Sequence, residues 1–370
     1  MKLNLRSVLQ ALISPLLLAA GVACGSAAQP ASTATATVQP DQTVTSASQS
    51  TATPTPKPRP NVIHVGYFPN VTHIQPNVGM ATFQQELGDV KIDAKVFNAG
   101  PSEIEALFAG AIDIGYIGPS PAVNGYIQSG GKALRVIAGA ASGGASFVVR
   151  ADTGIASPKD LAGKRLASPQ LGNTQDIALR SYLAQNGLKT VENGGTVTVQ
   201  PIANPGILSL FLRKELDGAW VPEPWATRLV REAGGKIFLD ERTIWPQGKF
   251  STTIVIVRKE FLDQYPDVVK SWLKAHVEVT QWVQQHPAEA RQALKESIAK
   301  LTNQTLDDAV LADSLGRTDI AYDPVETSIV TAAQRAYDLG FLKSQPNVQG
   351  MVDLTLLNQV LKELGQQPIR

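Results

Sequence analysis

One cysteine in 370 residues, Cys24, excludes any intrachain disulfide and leaves no cysteine pair for a metal site or redox couple. A surplus of charge is also missing. With 33 Lys and Arg against 32 Asp and Glu the formal net charge is +1, so the basic excess that nucleic-acid binding draws on is absent. The four histidines, His64, His73, His276 and His286, lack metal-ligand spacing, and the last two, on a helical stretch, are expected to be solvated. No Gly-x-x-x-x-Gly-Lys run occurs, nor a Gly-x-Gly-x-x-Gly after a strand. Gly118-Pro119-Ser120-Pro121-Ala122 lacks the closing glycine of a nucleophile elbow. These absences argue against an enzyme, and no cofactor or metal is expected.

What is present begins with a leader. Lys2 and Arg6 precede an apolar run over residues 8–20, interrupted by Pro15 and too short for a transmembrane span, which reads as a signal peptide. Leu18-Ala19-Ala20-Gly21-Val22-Ala23-Cys24-Gly25 resembles a bacterial lipobox, with Gly21 where the pattern usually has Leu. That resemblance implies lipidation at Cys24. Residues 25–60 are rich in Ser, Thr, Ala and Pro, a composition that cannot bury enough apolar surface to fold and that suits an extended tether.

After Pro60 the pattern is α/β. Residues 62–67 and 90–97 read as strands around a helix at 78–87, and Ser102 with Glu105 predicts a capped helix whose face carries Ile104, Leu107 and Phe108. A module then recurs. An apolar-Asp pair (Ile112-Asp113, Leu216-Asp217), a short strand and a Pro-bracketed loop (Gly118-Pro119-Ser120-Pro121, Pro222-Glu223-Pro224) occur twice, which predicts two lobes of similar build. Residues 146–150 and 252–258 are β-rich runs ending in Arg and read as crossings between the lobes. The expected division is 1–24 signal peptide, 25–60 tether, 61–149 with 256–370 first lobe, and 150–255 second lobe. Helical periodicity dominates from Lys259 onward.

In open α/β sheets ligands bind beyond the carboxyl ends of strands. The candidate binding residues are therefore Asn70, Thr72 and His73 after the first strand, Gly118 and Ser120 after the third, Ser142 at the first crossing, and Asn173, Thr174 and Gln175 where a helix opens. Trp220 and Trp225 could stack on a ligand or fill core, and a helix-capping role for Asn173 is an equal alternative. Glu223, poorly placed to pair with Arg228, could bridge the lobes or meet the ligand.

Phe97-Asn98-Ala99-Gly100-Pro101, Glu105-Ala106-Leu107-Phe108-Ala109-Gly110, Asp113-Ile114-Gly115-Tyr116, Gly118-Pro119-Ser120-Pro121-Ala122, Ser157-Pro158-Lys159-Asp160-Leu161-Ala162-Gly163-Lys164 and Trp220-Val221-Pro222-Glu223-Pro224-Trp225 together resemble the aliphatic-sulfonate, taurine and nitrate group of ABC-importer binding proteins. The resemblance covers residues 62–287 closely. It implies a two-lobe type II periplasmic-binding-protein fold with two hinge strands, and an anionic head held at Gly118, Ser120, Asn173 and Thr174. It also implies permease and ATPase subunits as partners, a lipid-anchored place on the outer face of the cytoplasmic membrane, and action as a monomer. Relatives that bind nitrate, riboflavin or formylaminopyrimidine keep those ligands open, and a non-transport surface protein is the alternative of another class. The group's enzymes rely on cysteine chemistry that this chain lacks.

Overall fold

The computed structural model describes residues 59–369, so Cys24, the signal peptide and almost all of the tether lie outside the described residues. The chain opens with β1 (Val62–Tyr67), which buries Ile63 and Val65. A short 3-10 turn (Val71–His73) leads into α1 (Ile74–Leu87), and β2 (Lys91–Val96) returns parallel to β1 with Val62 opposite Lys91. The helix starts four residues before the expected 78. Pro76 is tolerated in a first turn, and Asn77 ties the entry down by donating from Nδ2 to Phe68 O at 2.9 Å and His73 O at 2.7 Å.

In α2 (Gly100–Phe108) the N-cap is Ala99 and Pro101 sits in the first turn, so the expected Ser102 cap is not made. Ser102 Oγ instead donates back to Ala99 O at 2.8 Å. Ile104 and Leu107 are buried as expected, whereas Phe108 is 46% exposed because it falls off that face. Then follow β3 (Ile114–Ile117), α3 (Pro119–Gln128) and β4 (Leu134–Gly143).

At Gly143 and Gly144, both at positive φ, the chain leaves the first sheet, a conformation that glycine adopts without strain. It builds β5 (Ala145–Arg150), β6 (Arg165–Ser168), α4 (Thr174–Gln185), β7 (Thr198–Pro201), α5 (Asn204–Leu212), β8 (Gly218–Pro222), α6 (Trp225–Ala233) and β9 (Gly235–Asp240). The 3-10 turn at Pro158–Leu161 carries a capping box between Ser157 and Asp160. The return is β10 (Ser251–Arg258), then α7 (Lys259–Gln264), α8 (Pro266–Gln285), α9 (Pro287–Thr302), α10 (Asp308–Gly316), β11 (Thr318–Ile320), α11 (Glu326–Asp338) and α12 (Thr355–Glu363).

The strands form two sheets, ordered β11-β4-β10-β3-β1-β2 and β7-β6-β8-β5-β9. In each, three parallel strands are followed by antiparallel ones, three in the first sheet and two in the second, so the two lobes share one plan apart from the added β11. Neither expected crossing run spans both sheets. β5 belongs wholly to the second sheet and β10 wholly to the first, so the chain changes sheets at Gly143–Gly144 and between Asp240 and Ser251.

Both faces of the first sheet are covered. On one, Phe83 of α1 stacks on Trp272 of α8 at 4.0 Å, and on the other Ile104, Val123 and Ile329 join helices α2, α3 and α11. His276 of α8 is fully buried rather than solvated. Its Nδ1 meets Tyr116 Oη at 2.9 Å and its Nε2 meets Gly139 O at 2.8 Å, while burial pushes its pKa down to about 4. No helix among the described residues is long and apolar enough to cross a membrane.

Candidate functional site

The C-terminal ends of β1, β3, β6 and β8 point into the space between the sheets, and there the loops enclose a small cavity. It has room for the centre of a water-sized sphere over about 20 Å³. Asn70, Thr72, His73 and Gly118 reach it from the first lobe, Asn173 and Gln175 from the second. No lysine or arginine lines it.

Its positive potential comes from backbone. Gly118 is the N-cap of α3, Asn173 the N-cap of α4, and Asn204 the first residue of α5; none of the N-cap residues caps its own helix with a side chain. α3 opens Pro119-Ser120-Pro121, so its one first-turn N–H is that of Ser120, which meets Thr174 Oγ1. The free first-turn amides of α4 and α5 carry partial positive charge and favour an anion without a formal cation. Asn204 adds a second sign of an absent partner, since its Oδ1 is buried with no hydrogen bond among the described residues.

His73 is part of this neutral lining. Phe68 stacks on it at 4.4 Å and donates its backbone N–H to His73 Nδ1 at 3.3 Å, which leaves the ring proton on Nε2. Complete burial pushes its pKa down to about 3, so the imidazole is an uncharged donor at neutral pH.

A second cavity of similar size backs onto the first and takes the other candidates, Ser120 and Thr174. A Cβ added at Gly118 would clash with Thr174 Oγ1, so α3 and α4 meet here with only a glycine's thickness between them. Ser120 N–H points to Thr174 Oγ1 at 3.4 Å, a long hydrogen bond between the lobes.

The remaining candidates lie elsewhere. Ser142 accepts from Phe250 N–H at 3.2 Å within the first sheet and lines neither cavity. Trp220 is core: fully buried in β8, it stacks on Phe147 at 5.5 Å and donates Nε1–H to Glu241 Oε2 at 2.7 Å. β8 is central and covered on both faces, so only its last residue, Pro222, reaches the cavity. Glu223 is also buried away from it. Its Oε1 accepts from Arg317 Nε at 2.8 Å, and its Oε2 accepts from Thr227 N–H at 3.0 Å and Ser314 Oγ at 3.0 Å. Arg228 pairs with Glu232. Trp225 stands at the edge, donating Nε1–H across the lobes to Asn70 Oδ1 at 3.1 Å beside an outer cleft of about 310 Å³.

Sequence reasoning missed Asn98, Asn204 and Thr252, which line the cavity. Asn98 and Asn204 follow the equivalent strands β2 and β7, each beside Pro and Gly at a helix start, and that repeated pattern was the available signal. No group of three or more metal-ligating side chains occurs among the described residues.

Known proteins share this build. The taurine-binding periplasmic protein of Escherichia coli is 30% identical over 200 residues, 54% of this chain and 59% of that one. The chain thus spans little more than half the length of that relative. Among solved structures, the alkanesulfonate-binding protein of Xanthomonas axonopodis bound to MOPS superposes with a TM-score of 0.67 at 20% identity, covering 80% of this chain and 99% of that one. The periplasmic nitrate-binding protein of Synechocystis reaches 0.70 at 16% identity, covering 84% and 90%. Such identities speak to the fold alone, but a family profile matches residues 56–299 directly, and by it the chain belongs to the NMT1-like family.

Proposed function

We propose that this protein is the extracytoplasmic solute-binding component of an ABC importer and that its solute is a small organic anion such as taurine or another aliphatic sulfonate. One observation carries the reading: a cavity between the lobes, free of lysine and arginine, where the free starts of α4 and α5 and the neutral His73 converge. The E. coli relative's taurine and the Xanthomonas neighbour's alkanesulfonate agree with it. The solute takes its contacts from both lobes and so favours the closed arrangement, which the permease recognises. Permease and ATPase are separate chains, the binding protein acts as a monomer without cofactor, and the lipid on Cys24 holds it to the outer face of the membrane. Stacking of riboflavin or formylaminopyrimidine has less support, since Trp220 is in the core.

A thermal-shift screen of the full chain tests this. Taurine and aliphatic sulfonates should raise the melting temperature, by about 2.7 kcal/mol of added stability at a hundred times Kd. A shift with flat heterocycles or nitrate and none with sulfonates would overturn the ligand class. No shift with any of them would favour a surface protein that reuses the fold.

A further inference from the structure

The two cavities divide three pairs of consecutive residues between them: Gly118 and Pro119, Asn173 and Thr174, Thr252 and Ser251, with the first of each pair in the neutral cavity. Consecutive Cα atoms are about 3.8 Å apart, so a single residue's thickness separates the compartments. The partition is the meeting of Gly118 with Thr174, one residue from each lobe. The far compartment differs in charge. Arg335 of α11 lines it, with its guanidinium 4.3 Å from the centre of the Trp245 ring. Trp245 is itself fixed by stacking on Phe250 at 5.4 Å. Among the described residues Arg335 makes no side-chain hydrogen bond and no ion pair, although it brings a fork of N–H donors to the compartment. The neighbouring Glu241 does not neutralise it by direct contact, because its carboxylate oxygens are taken by Trp220 Nε1–H at 2.7 Å and Trp245 Nε1–H at 3.2 Å. Burial pushes the Glu241 pKa up, while the two indole donors and Arg335 pull it the other way.

We propose that the two cavities are one site with two compartments and that Arg335 receives a second acidic group, so that the preferred solute is a dianion joining a sulfonate and a carboxylate through a short carbon chain. This rests on the solute-binding reading above. The sulfonate lies among the helix starts, the carboxylate meets the arginine fork, and the spacer replaces the contact between Gly118 and Thr174.

Isothermal titration of the full chain with sulfopropionate and with ethanesulfonate, which lacks the carboxylate, separates the two claims. The proposal expects sulfopropionate to bind at least about tenfold tighter, with that preference collapsing to under about threefold in Arg335→Gln and partly kept in Arg335→Lys. Equal affinity for the two solutes, or a preference unchanged in Arg335→Gln, overturns it while leaving the solute-binding reading in place. Failure of both solutes to bind overturns both. Circular dichroism shows whether Arg335→Gln folds; if it does not, the wild-type ratio and Arg335→Lys decide.

Discussion

The strand-loop-helix units β3-α3 and β8-α6 are copies of one design that end differently. At the base of β3, Asp113 accepts the backbone N–H of His64 at 2.9 Å and an Arg258 N–H at 2.7 Å. At the base of β8, Asp217 accepts the backbone N–H of Arg165 at 2.8 Å and that arginine's side chain at 3.1 Å. Beyond the strands they diverge. α3 begins behind Gly118, which has no side chain to offer, and its one first-turn N–H, on Ser120, goes across to Thr174 Oγ1 of the other lobe. α6 begins behind Glu223, whose carboxylate fills the first turn through Thr227 N–H and takes Arg317 as counter-ion. One copy leaves its start to a neutral group of the other lobe and the other carries its own anion. The residue at the strand end decides whether a helix start carries its own counter-charge.

Acid should separate the lobes most. All four histidines lie outside the second sheet's segment, and His73 and His276, with pKa values pushed down to about 3 and about 4, stay neutral in the fold but take protons below about 6.5 once unfolded. Their stabilisation is present above pH 6.5 and is lost as pH falls towards 4, by about 3 kcal/mol in total between pH 7 and 5. Hydrogen exchange should therefore show the first lobe loosening before the second; a simultaneous loss would contradict this. Glu223→Gln removes the built-in anion and strands Arg317, and it should cost about 3 kcal/mol in denaturant unfolding. Gly118→Ala adds the Cβ that clashes with Thr174 Oγ1, so closure fails and sulfonate affinity drops about a hundredfold, near 2.7 kcal/mol, with little change in unfolding midpoint. Asn204→Ala, which removes a buried polar group that lacks a partner, should weaken sulfonate about tenfold by titration calorimetry.

Much of this was legible in the sequence because it lay in local chemistry. Pro and Gly marked the strand ends, and the repeated apolar-Asp pair marked the two modules. The loops holding Asn70, Thr72, His73, Gly118, Asn173 and Gln175 followed from the strand reading and meet in one cavity. What stayed hidden depended on distant partners. Glu223 finds Arg317 across 94 positions, and Arg335 reaches the far compartment from a helix whose pattern shows only amphipathicity. Trp220 could not be assigned from its neighbours, because strand position and not residue type sends it to the core.

The second lobe also leaves and re-enters the first at adjacent points, with Ser142 paired to Ser251 and Thr252 Oγ1 donating to Gly143 O. In chain terms it is an insertion whose ends already touch. A short linker from Gly143 to Phe250 would splice it out, and a reporter domain spliced in at the same seam would sense lobe movement as a change in its own geometry.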